Sequence, residues 1–529
     1  MINSWLVLLP PVLVLIIALY SKQLIPALGI GIFSAGYIAT GGYNPIQALF
    51  LIGSRIFTQI TDLDNLYTYL FLILIGSLII LLNQTGGAGA FATLFTKHLR
   101  SKRMAETSSF LLSCTLFLDD YLSNLTVGHV MRPLTDTFFI PRAKLAFLVH
   151  SMTGPLVILA PLSSWAAMIV SQLENTGITA QYDANTKILV DPFYVYLKAI
   201  PFIFYSLFLI GSVIFIIRKR ISFGPMKVHE DIAHKEHNLF GGKTPPHTID
   251  IQSIQSTPGT LSDFLVPLSS LIITVIGGIA HSGGYYLCGG NATFIQAIKN
   301  NQQPFLVMAK ASVITFCISV LYALLRNRIN VRSIPTTLMQ GTLLMLSPII
   351  MVFLASTLGL LLKNDLRTGH YLATILIGNI SITILPCMLY ITSLIITIAT
   401  GSAWGTIALM LPIAIPLITS MSGLALPITP EQLPILYPVL GAIFSGAVCG
   451  DHISPVSETT IMAASSAGCY PMDHVKTQFV YALPAIIYAF IAFIIAGNIP
   501  SYIQSLITSL SIGGSLCLLT LFIAHYKNN

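Results

Sequence analysis

Two short clusters of polar residues interrupt apolar stretches of this sequence. The first follows the apolar run 110–118 and contains two acids, a hydroxyl and an amide: Asp119, Asp120, Ser123 and Asn124. The second follows the apolar run 435–448 and is longer: Asp451, His452, Ser454, Ser457, Glu458 and Thr459. Both clusters contain the pattern Asp-x-x-Ser. Because an ionisable residue inside a bilayer costs about 2.5–3.5 kcal/mol on insertion scales, such residues mark a functional site.

The second cluster is predicted to break a helix at membrane depth, since Gly450 and Pro455 flank Asp451. Unwinding frees backbone carbonyl groups, which together with carboxylate and hydroxyl oxygens suit a hard cation such as sodium. We therefore predict sodium binding at Asp120 and Asp451. Neutral oxygen ligands are expected from nearby hydroxyl and amide side chains: Ser123, Asn124, Ser402, Ser454, Ser457 and Thr459.

Three ionisable neighbours each have two interpretations. Asp119 either joins the site or caps a helix in an interfacial loop, because two adjacent acids do not easily face one cation. Glu458 either starts a helix over 459–464 or joins the ion path. His452 is either a proton carrier near neutral pH or a buried, hydrogen-bonded histidine.

A low-dielectric pocket favours the neutral form of a carboxyl group, so a proton and a sodium ion compete for the carboxylate. Alternating access would then carry each ion across the membrane in its turn. This chemistry predicts a transporter rather than an enzyme, with no catalytic residues and no cofactor.

A second recurrence places a tryptophan beside small hydroxyl residues within an apolar span. It occurs at Ser164 and Trp165, and again at Ser402 and Trp404, in a chain that has only three tryptophans. We predict that Ser402 and Trp404 belong to the ion-binding site and that Ser164 and Trp165 are accessory to it. The alternative is that these small hydroxyl residues line ordinary contacts between membrane helices. The acids of the two clusters are 331 residues apart (451 − 120) and these tryptophans 239 (404 − 165), which excludes a simple tandem duplication. Two diverged halves of inverted topology remain compatible with the sequence.

The composition excludes a soluble enzyme and a disordered scaffold. Of 529 residues, 54% are hydrophobic and only 9% are charged, whereas a soluble domain carries about 25% charged residues. The net charge of +7 arises from short clusters that flank apolar stretches, which indicates membrane topology rather than a nucleic-acid partner.

The hydrophobic pattern predicts an all-α polytopic membrane protein, with about 12 spanning helices plus two interrupted or re-entrant segments at 106–140 and 434–475. The predicted regular spans are 5–20, 24–40, 66–83, 145–170, 195–217, 264–281, 305–325, 335–362, 371–398, 402–420, 478–497 and 505–524. Basic residues concentrate in the loops 97–103, 218–260 and 326–332, which predicts that these loops are cytoplasmic. Both ends of 106–140 then lie on the cytoplasmic side.

The polar segment 218–260 divides the chain. We predict an N-terminal membrane half (1–217), a flexible cytoplasmic linker (218–260) and a C-terminal membrane half (261–529). The linker is rich in Gly and Pro, which favours a flexible connector. Its histidines do not form a zinc motif, because Ala233 stands where the second histidine of His-Glu-x-x-His would be.

Three stretches resemble the motifs of the NhaC-type sodium/proton antiporters. They are 450–462 with its continuation to 473–475 and Gln478, 399–406 with 410–417, and 119–124. The resemblance spans both halves of the chain. It implies multi-pass insertion in a prokaryotic inner membrane, exchange of sodium or lithium for protons in pH homeostasis, and a fold built on inverted repeats. Homodimerisation is left open.

Two other functions are compatible with parts of the sequence. Sodium- or proton-coupled exchange of a small organic solute, such as malate, lactate or an amino acid, would share nearly every feature. Fixed cations in the spans would favour an anionic substrate, but Arg132 and Lys310 are each expected to reach towards a membrane interface. An intramembrane aspartyl protease is a remote alternative, because the Gly-x-Gly-Asp pattern of that class is absent around Asp451.

Overall fold

The computed structural model describes residues 5–21, 24–42, 44–87, 90, 100–117, 120–161, 163–183, 186–245, 259–299, 304–368, 371, 380–455 and 457–527. These residues form an all-α protein, as the sequence predicts. Among them, the strands are one short parallel pair, Ile178–Thr179 with Ile188–Leu189. Seven of the described helices are long and apolar enough to cross a membrane, or eight if the pair Pro192–Phe202 and Phe204–Lys235, bent by 47°, counts as one span. The total number of spans stays a prediction.

A group of long helices lies outside the two polar clusters. Their bounds are Leu9–Ser21, Leu24–Ala39, Pro45–Thr61, Leu63–Gln84, Leu261–Ser282, Pro304–Leu325 and Ile334–Leu360. The last four pack side by side. Polar residues start several of these helices: Asp62, for example, accepts hydrogen bonds from the backbone N–H groups of Asp64 and Asn65, which satisfies donors that a helix start leaves unpaired.

The first interrupted segment is a helical hairpin, Lys102–Thr115 and Asp120–Thr137. Both ends lie at one face of the protein, because Glu106 near its start pairs with Lys144 at 2.9 Å and Asp136 near its end pairs with Arg142 at 2.6 Å. We call this side the basic face. The arrangement agrees with the expectation that both ends of 106–140 share one side.

The predicted regular span 145–170 is a broken helix in the structure. One half is Arg142–His150, a single turn follows at Gly154–Val157, and the other half is Ser164–Asn175. The chain returns to the basic face through Pro192–Ala199 and Phe204–Lys219. The break leaves backbone polar groups without helical hydrogen-bond partners halfway along the crossing, next to hydroxyl groups. A regular helix would pair all of its backbone groups at this depth.

A second hairpin enters from the opposite face. Its arms are Leu385–Thr400 and Ala403–Met421. The first arm covers the end of the predicted span 371–398, of which residues 372–379 lie outside the described part of the chain, and the second corresponds to the predicted span 402–420. Its start lies against Gly497, at the end of the helix Pro471–Asn498 that begins at the basic face. Its tip instead lies in the interior, where Ser454 donates a hydrogen bond to the carbonyl of Ile398 at 2.8 Å.

The second polar cluster lies at the break of another crossing helix. Leu436–Ile453 ends there and Glu458–Ala467 begins after the break. The carbonyl of Ala467, at the far end, accepts a hydrogen bond from Arg142 at the basic face. Pro471–Asn498 then crosses back, and Tyr502–Lys527 packs beside it.

These elements form two units of the same order and opposite direction. Each unit contains a hairpin, a broken helix and a returning helix, and the starts of these elements are 283, 294 and 279 residues apart (385 − 102, 436 − 142, 471 − 192). The nearly constant offset matches a repeat, and the entry of the hairpins from opposite faces makes it inverted. The recurrences noted in the sequence each paired a hairpin residue with a broken-helix residue, so they shared no offset.

Part of the predicted linker is ordered against the basic face. Gly224–Lys235 is a helix, so the expectation of a flexible connector does not hold for residues 224–245. Glu230 pairs with Lys144 at 2.5 Å, and Lys243 pairs with both oxygens of Asp473 at 2.6 and 2.7 Å. We call residues 224–245 the strap. The division into domains at 218 and 260 stays a prediction.

Candidate functional site

The centre of the site is Asp451, which lies in the last turn before the break of the second broken helix. Its side chain is buried, with 6% exposure. One carboxylate oxygen accepts a hydrogen bond from the hydroxyl of Ser457 and the other from that of Thr459, both at 2.7 Å. Both donors follow the break, so the unwound turn folds back over the acid. Because an ionised carboxylate can only accept hydrogen bonds, the two hydroxyl groups are the donors.

The break of the first broken helix meets this carboxylate. A Cβ atom on Gly154 would lie 3.9 Å from Oδ2 of Asp451 and 4.0 Å from the ring of Trp165. The two helix breaks, which are far apart in sequence, therefore face each other across the site.

The two tryptophans of the sequence recurrence lie together. The rings of Trp165 and Trp404 pack edge to face, with centroids 6.0 Å apart, a favourable geometry for aromatic pairs. Ser163 caps the helix that contains Trp165, and Ser402 caps the helix that contains Trp404, each by accepting a backbone N–H hydrogen bond. The pair joins the tip of the second hairpin to the first helix break. Ser164, also predicted as accessory, is fully buried beside Trp165.

Three histidines form a cluster next to Thr459, with the ring centroid of His150 4.8 Å from that of His452 and 5.2 Å from that of His474. His150 ends the first half of the first broken helix, and its Nε2 lies 3.1 Å from the Thr459 hydroxyl. Its Nδ1 lies 3.1 Å from Nε2 of His474. The ring nitrogens of His452 are engaged elsewhere, by the Tyr205 hydroxyl at 2.7 Å and the Ser151 hydroxyl at 3.1 Å.

Gln478 joins this group through its side-chain amide. The amide donates to Nδ1 of His150 at 3.0 Å and to the backbone carbonyl of His452. His474 and Gln478 lie one turn apart at the start of Pro471–Asn498, on the face towards the breaks.

The first polar cluster lies on the neighbouring hairpin arm. Asp120 begins the helix Asp120–Thr137 and is buried, as are Ser123 and Asn124. Within the described part of the chain, the hydroxyl of Ser123 and both amide atoms of Asn124 have no hydrogen-bond partner. Unpaired buried polar atoms are rare in proteins. These atoms are therefore candidates for contact with a bound ion or solute.

This hairpin arm packs against Glu458–Ala467, with Gly128 against Ser466. Both helices run from the interior to the basic face, so their first turns lie at similar depth. The structure thus groups Asp451, Ser457 and Thr459 directly, and places Asp120, Ser123 and Asn124 on the adjacent element. Asp119 and the side chain of Glu458 lie outside what the structure describes.

Sequence reasoning did not select His150, His474 or Gln478 as site residues. His150 carried a usable signal, because it is an ionisable residue inside a predicted span. His474 and Gln478 stand in the motif that resembles the antiporter family, but their spacing from Asp451 gave no geometric reason to choose them. Arg132 lies beside Gly468 near the basic face and Lys310 is exposed, away from the Asp451 contacts.

Hairpins entering from two faces, two broken crossing helices and a buried carboxylate where the breaks meet are the architecture of a secondary transporter. The sequence comparison specifies this class further. A model of the Na⁺/H⁺ antiporter family matches residues 156–498, which include the second half of the first broken helix, the second hairpin and the second helix break. The chain belongs to the Na⁺/H⁺ antiporter family.

Similar proteins cover different shares of the chain. An uncharacterized protein of Haemophilus influenzae is 29% identical over 495 residues, covering 92% of this chain and 90% of that protein. The malate-2H(+)/Na(+)-lactate antiporter of Bacillus subtilis is 35% identical over 103 residues, 20% of each chain. The crystal structure of the Alcanivorax borkumensis YdaH transporter covers 85% of this chain and 88% of its own, with a TM-score of 0.52 and 13% identity. This last likeness concerns the fold alone.

Proposed function

We propose that the protein exchanges sodium for protons across a prokaryotic inner membrane, with Asp451 as the carboxylate that binds either ion. A bare carboxylate is costly at this depth, whereas the protonated or sodium-bound form is neutral. The protein therefore changes between its two access states only when Asp451 has bound a proton or a sodium ion. This restriction couples the two ions.

The observation that carries the proposal is the position of Asp451. The acid is buried where a helix break, the opposite helix break and the region of a hairpin tip meet, and each of its oxygens accepts a hydroxyl hydrogen bond. Hydroxyl donors stabilise the charged carboxylate without neutralising it. A cation or a proton supplies the remaining compensation. Asp120, with Ser123 and Asn124, is proposed as a second ion-binding group on the adjacent arm.

Everted membrane vesicles with an acid interior and a pH-sensitive dye test this function. Addition of sodium should raise the internal pH in vesicles that contain the protein, and lithium and potassium define the cation preference. Absence of any cation-dependent alkalinisation, with the protein present in the membrane, would contradict the proposal.

A second candidate is exchange of a small organic anion coupled to sodium or protons. The 103-residue similarity to the malate-2H(+)/Na(+)-lactate antiporter and the unpaired polar atoms of Ser123 and Asn124 favour it. The same vesicles, challenged with sodium plus malate or lactate, separate the two functions. Alkalinisation that requires the organic anion supports the second candidate, and alkalinisation with sodium alone supports the first.

A further inference from the structure

A continuous hydrogen-bonded chain links Asp451 to the start of Pro471–Asn498. Nε2 of His474 lies 3.1 Å from Nδ1 of His150, and Nε2 of His150 lies 3.1 Å from the hydroxyl oxygen of Thr459. That hydroxyl lies 2.7 Å from Oδ2 of Asp451. Each of these groups can both donate and accept a hydrogen bond, which is the requirement for passing a proton along a chain.

The direction of each hydrogen bond follows from the partners. Thr459 donates its only hydroxyl proton to Asp451, so its oxygen accepts from Nε2 of His150. A neutral imidazole has one N–H group, so Nδ1 of His150 is an acceptor. The amide of Gln478, which can only donate through its nitrogen, also lies 3.0 Å from this atom and supports the assignment.

His474 then carries its proton on Nε2, and its Nδ1 is the free end of the chain. Nδ1 of His474 is buried and has no hydrogen-bond partner among the described residues. A buried acceptor without a hydrogen-bond partner costs free energy. This nitrogen is therefore free to bind an incoming proton. All donors in the chain point from this nitrogen towards Asp451.

We infer that His474, His150 and Thr459 carry the proton between the basic face and Asp451; this inference rests on the proposed function. A proton binds to Nδ1 of His474, and the Nε2 proton of His474 passes to Nδ1 of His150. The Nε2 proton of His150 passes to Thr459, whose own proton passes to Oδ2 of Asp451. One proton enters and one neutralises the carboxylate, and rotation of the rings and the hydroxyl resets the chain.

The outer end of the chain lies at the basic face. His474 is in the first turn of its helix and follows Asp473, whose carboxylate is paired with the half-exposed Lys243 of the strap. The path therefore ends one residue from a pair that reaches solvent. His452, the histidine closest to Asp451 in sequence, lies off this chain because Tyr205 and Ser151 engage its nitrogens.

The test separates proton transfer from cation binding in proteoliposomes. His150→Gln and His474→Gln replace a proton carrier by a polar side chain, and His281→Gln makes the same change at an exposed histidine on the helix Leu261–Ser282. Two rates are measured for each variant: sodium-driven proton flux, and exchange of labelled for unlabelled sodium, which needs no proton. We expect the first rate to fall on the order of 10²-fold in the two chain variants, with the second rate retained. His281→Gln should retain both rates.

Each other outcome overturns the inference. Unchanged proton flux in either chain variant removes that histidine from the path, and parallel loss of both rates assigns it a structural role. Thr459→Ser, which keeps the hydroxyl, and Thr459→Val, which removes it, provide a second comparison: equal ratios of proton flux to sodium exchange would contradict a hydroxyl relay. Wild-type protein that exchanges labelled sodium without moving protons would instead refute the proposed function itself.

Discussion

The carboxylate of Asp451 is held by hydroxyl groups that come from the segment after its own helix break. Ser457 and Thr459 each donate to one oxygen at 2.7 Å. Such donors fix the position of the oxygens while leaving room for a second charge to decide the ionisation state. At the residue scale, the proposed exchange would supply that second charge as a proton or a sodium ion.

Asp451→Asn tests this role directly. The amide has nearly the same shape but cannot bind a proton as a carboxylate does or compensate a sodium ion, so exchange should fall below detection in the vesicle assay. Asp231→Asn makes the same chemical change on the exposed side of the strap helix and should leave exchange unchanged. Exchange retained in Asp451→Asn, at equal expression, would remove Asp451 as the shared acid.

Backbone contact between helices positions the second break. Leu436–Ile453 packs closely on the hairpin arm Leu385–Thr400, and a Cβ atom on Gly450 would lie 2.5 Å from Cβ of Thr397. Small residues permit this approach, which is a common basis of helix packing in membranes. At the element scale, the position of Asp451 depends on the glycine next to it.

Gly450→Ala should therefore destabilise the protein and impair exchange. Overpacking costs typically 1–3 kcal/mol, which should appear as a lower melting temperature in detergent. Gly211→Ala is the matched control, because no described heavy atom lies within 4 Å of a Cβ at that position. It should stabilise its helix by about 0.5–1 kcal/mol. An unchanged or higher melting temperature for Gly450→Ala would contradict the prediction, because it would mean that the two helices accommodate the added methyl group.

The loop before Pro192–Ala199 contains a pH-sensitive cap. Asp191 is fully buried, and its Oδ1 accepts a hydrogen bond from the backbone N–H of Tyr194 at 2.8 Å. Burial raises the pKa of the Asp191 carboxyl to about 7, although backbone hydrogen bonds from Tyr194 and Phe193 oppose the increase. Because the unfolded chain has the ordinary, lower pKa, stability should decrease as pH rises from about 4 to about 7.

Asp191→Asn should remove this dependence. Asparagine caps a helix as well as aspartate does, so the variant and the wild type should melt at similar temperatures near pH 4. At pH 8 the variant should be more stable, by up to about 4 kcal/mol. Melting temperatures in detergent across this range measure the difference. A difference that does not change with pH would contradict the assignment.

The strap connects the two inverted units at the basic face. It contacts the first unit through Glu230 and Lys144, and the second through Lys243 and Asp473. Burial raises the pKa of Glu230, but the charge and hydrogen bond of Lys144, together with the charge of Lys102 and other polar contacts, lower the pKa below its usual value. At the scale of the whole molecule, a segment predicted to be a flexible linker instead bridges the two units that the proposed alternating access would have to move.

Lys243→Glu should loosen the strap. Repulsion from Asp473 replaces an ion pair that is partly exposed, and such pairs contribute about 0.2–1 kcal/mol. Trypsin should therefore cleave at Lys227 and Lys235 several-fold faster. Lys235→Glu, at an exposed position, controls for the charge reversal, with cleavage followed at Lys227. Equal cleavage rates at Lys227 in the two variants would show that the Lys243–Asp473 pair does not retain the strap.

The class of protein and the two polar clusters follow from local properties of the sequence, which also predict Asp451 as the central acid. Composition decided membrane insertion, because 9% charged residues cannot cover a soluble surface of this size. Gly450, Pro455 and the cost of an intramembrane charge pointed to Asp451, since these are local properties of the chain. The motifs at 450–462 and 399–406 are also local, and their resemblance to sodium/proton antiporters agrees with the family to which the chain belongs.

The contacts between distant elements are visible in the tertiary structure and not in the sequence. Apolar spans look alike on both sides, so their pattern does not distinguish a crossing helix from a hairpin arm, as at 402–420, or reveal the break within 145–170. The pairing of Trp165 with Trp404, and the chain from His474 through His150 to Thr459, join residues about 240 to 325 positions apart. Such contacts arise from the packing of two inverted units, which leaves no periodic signal in the sequence.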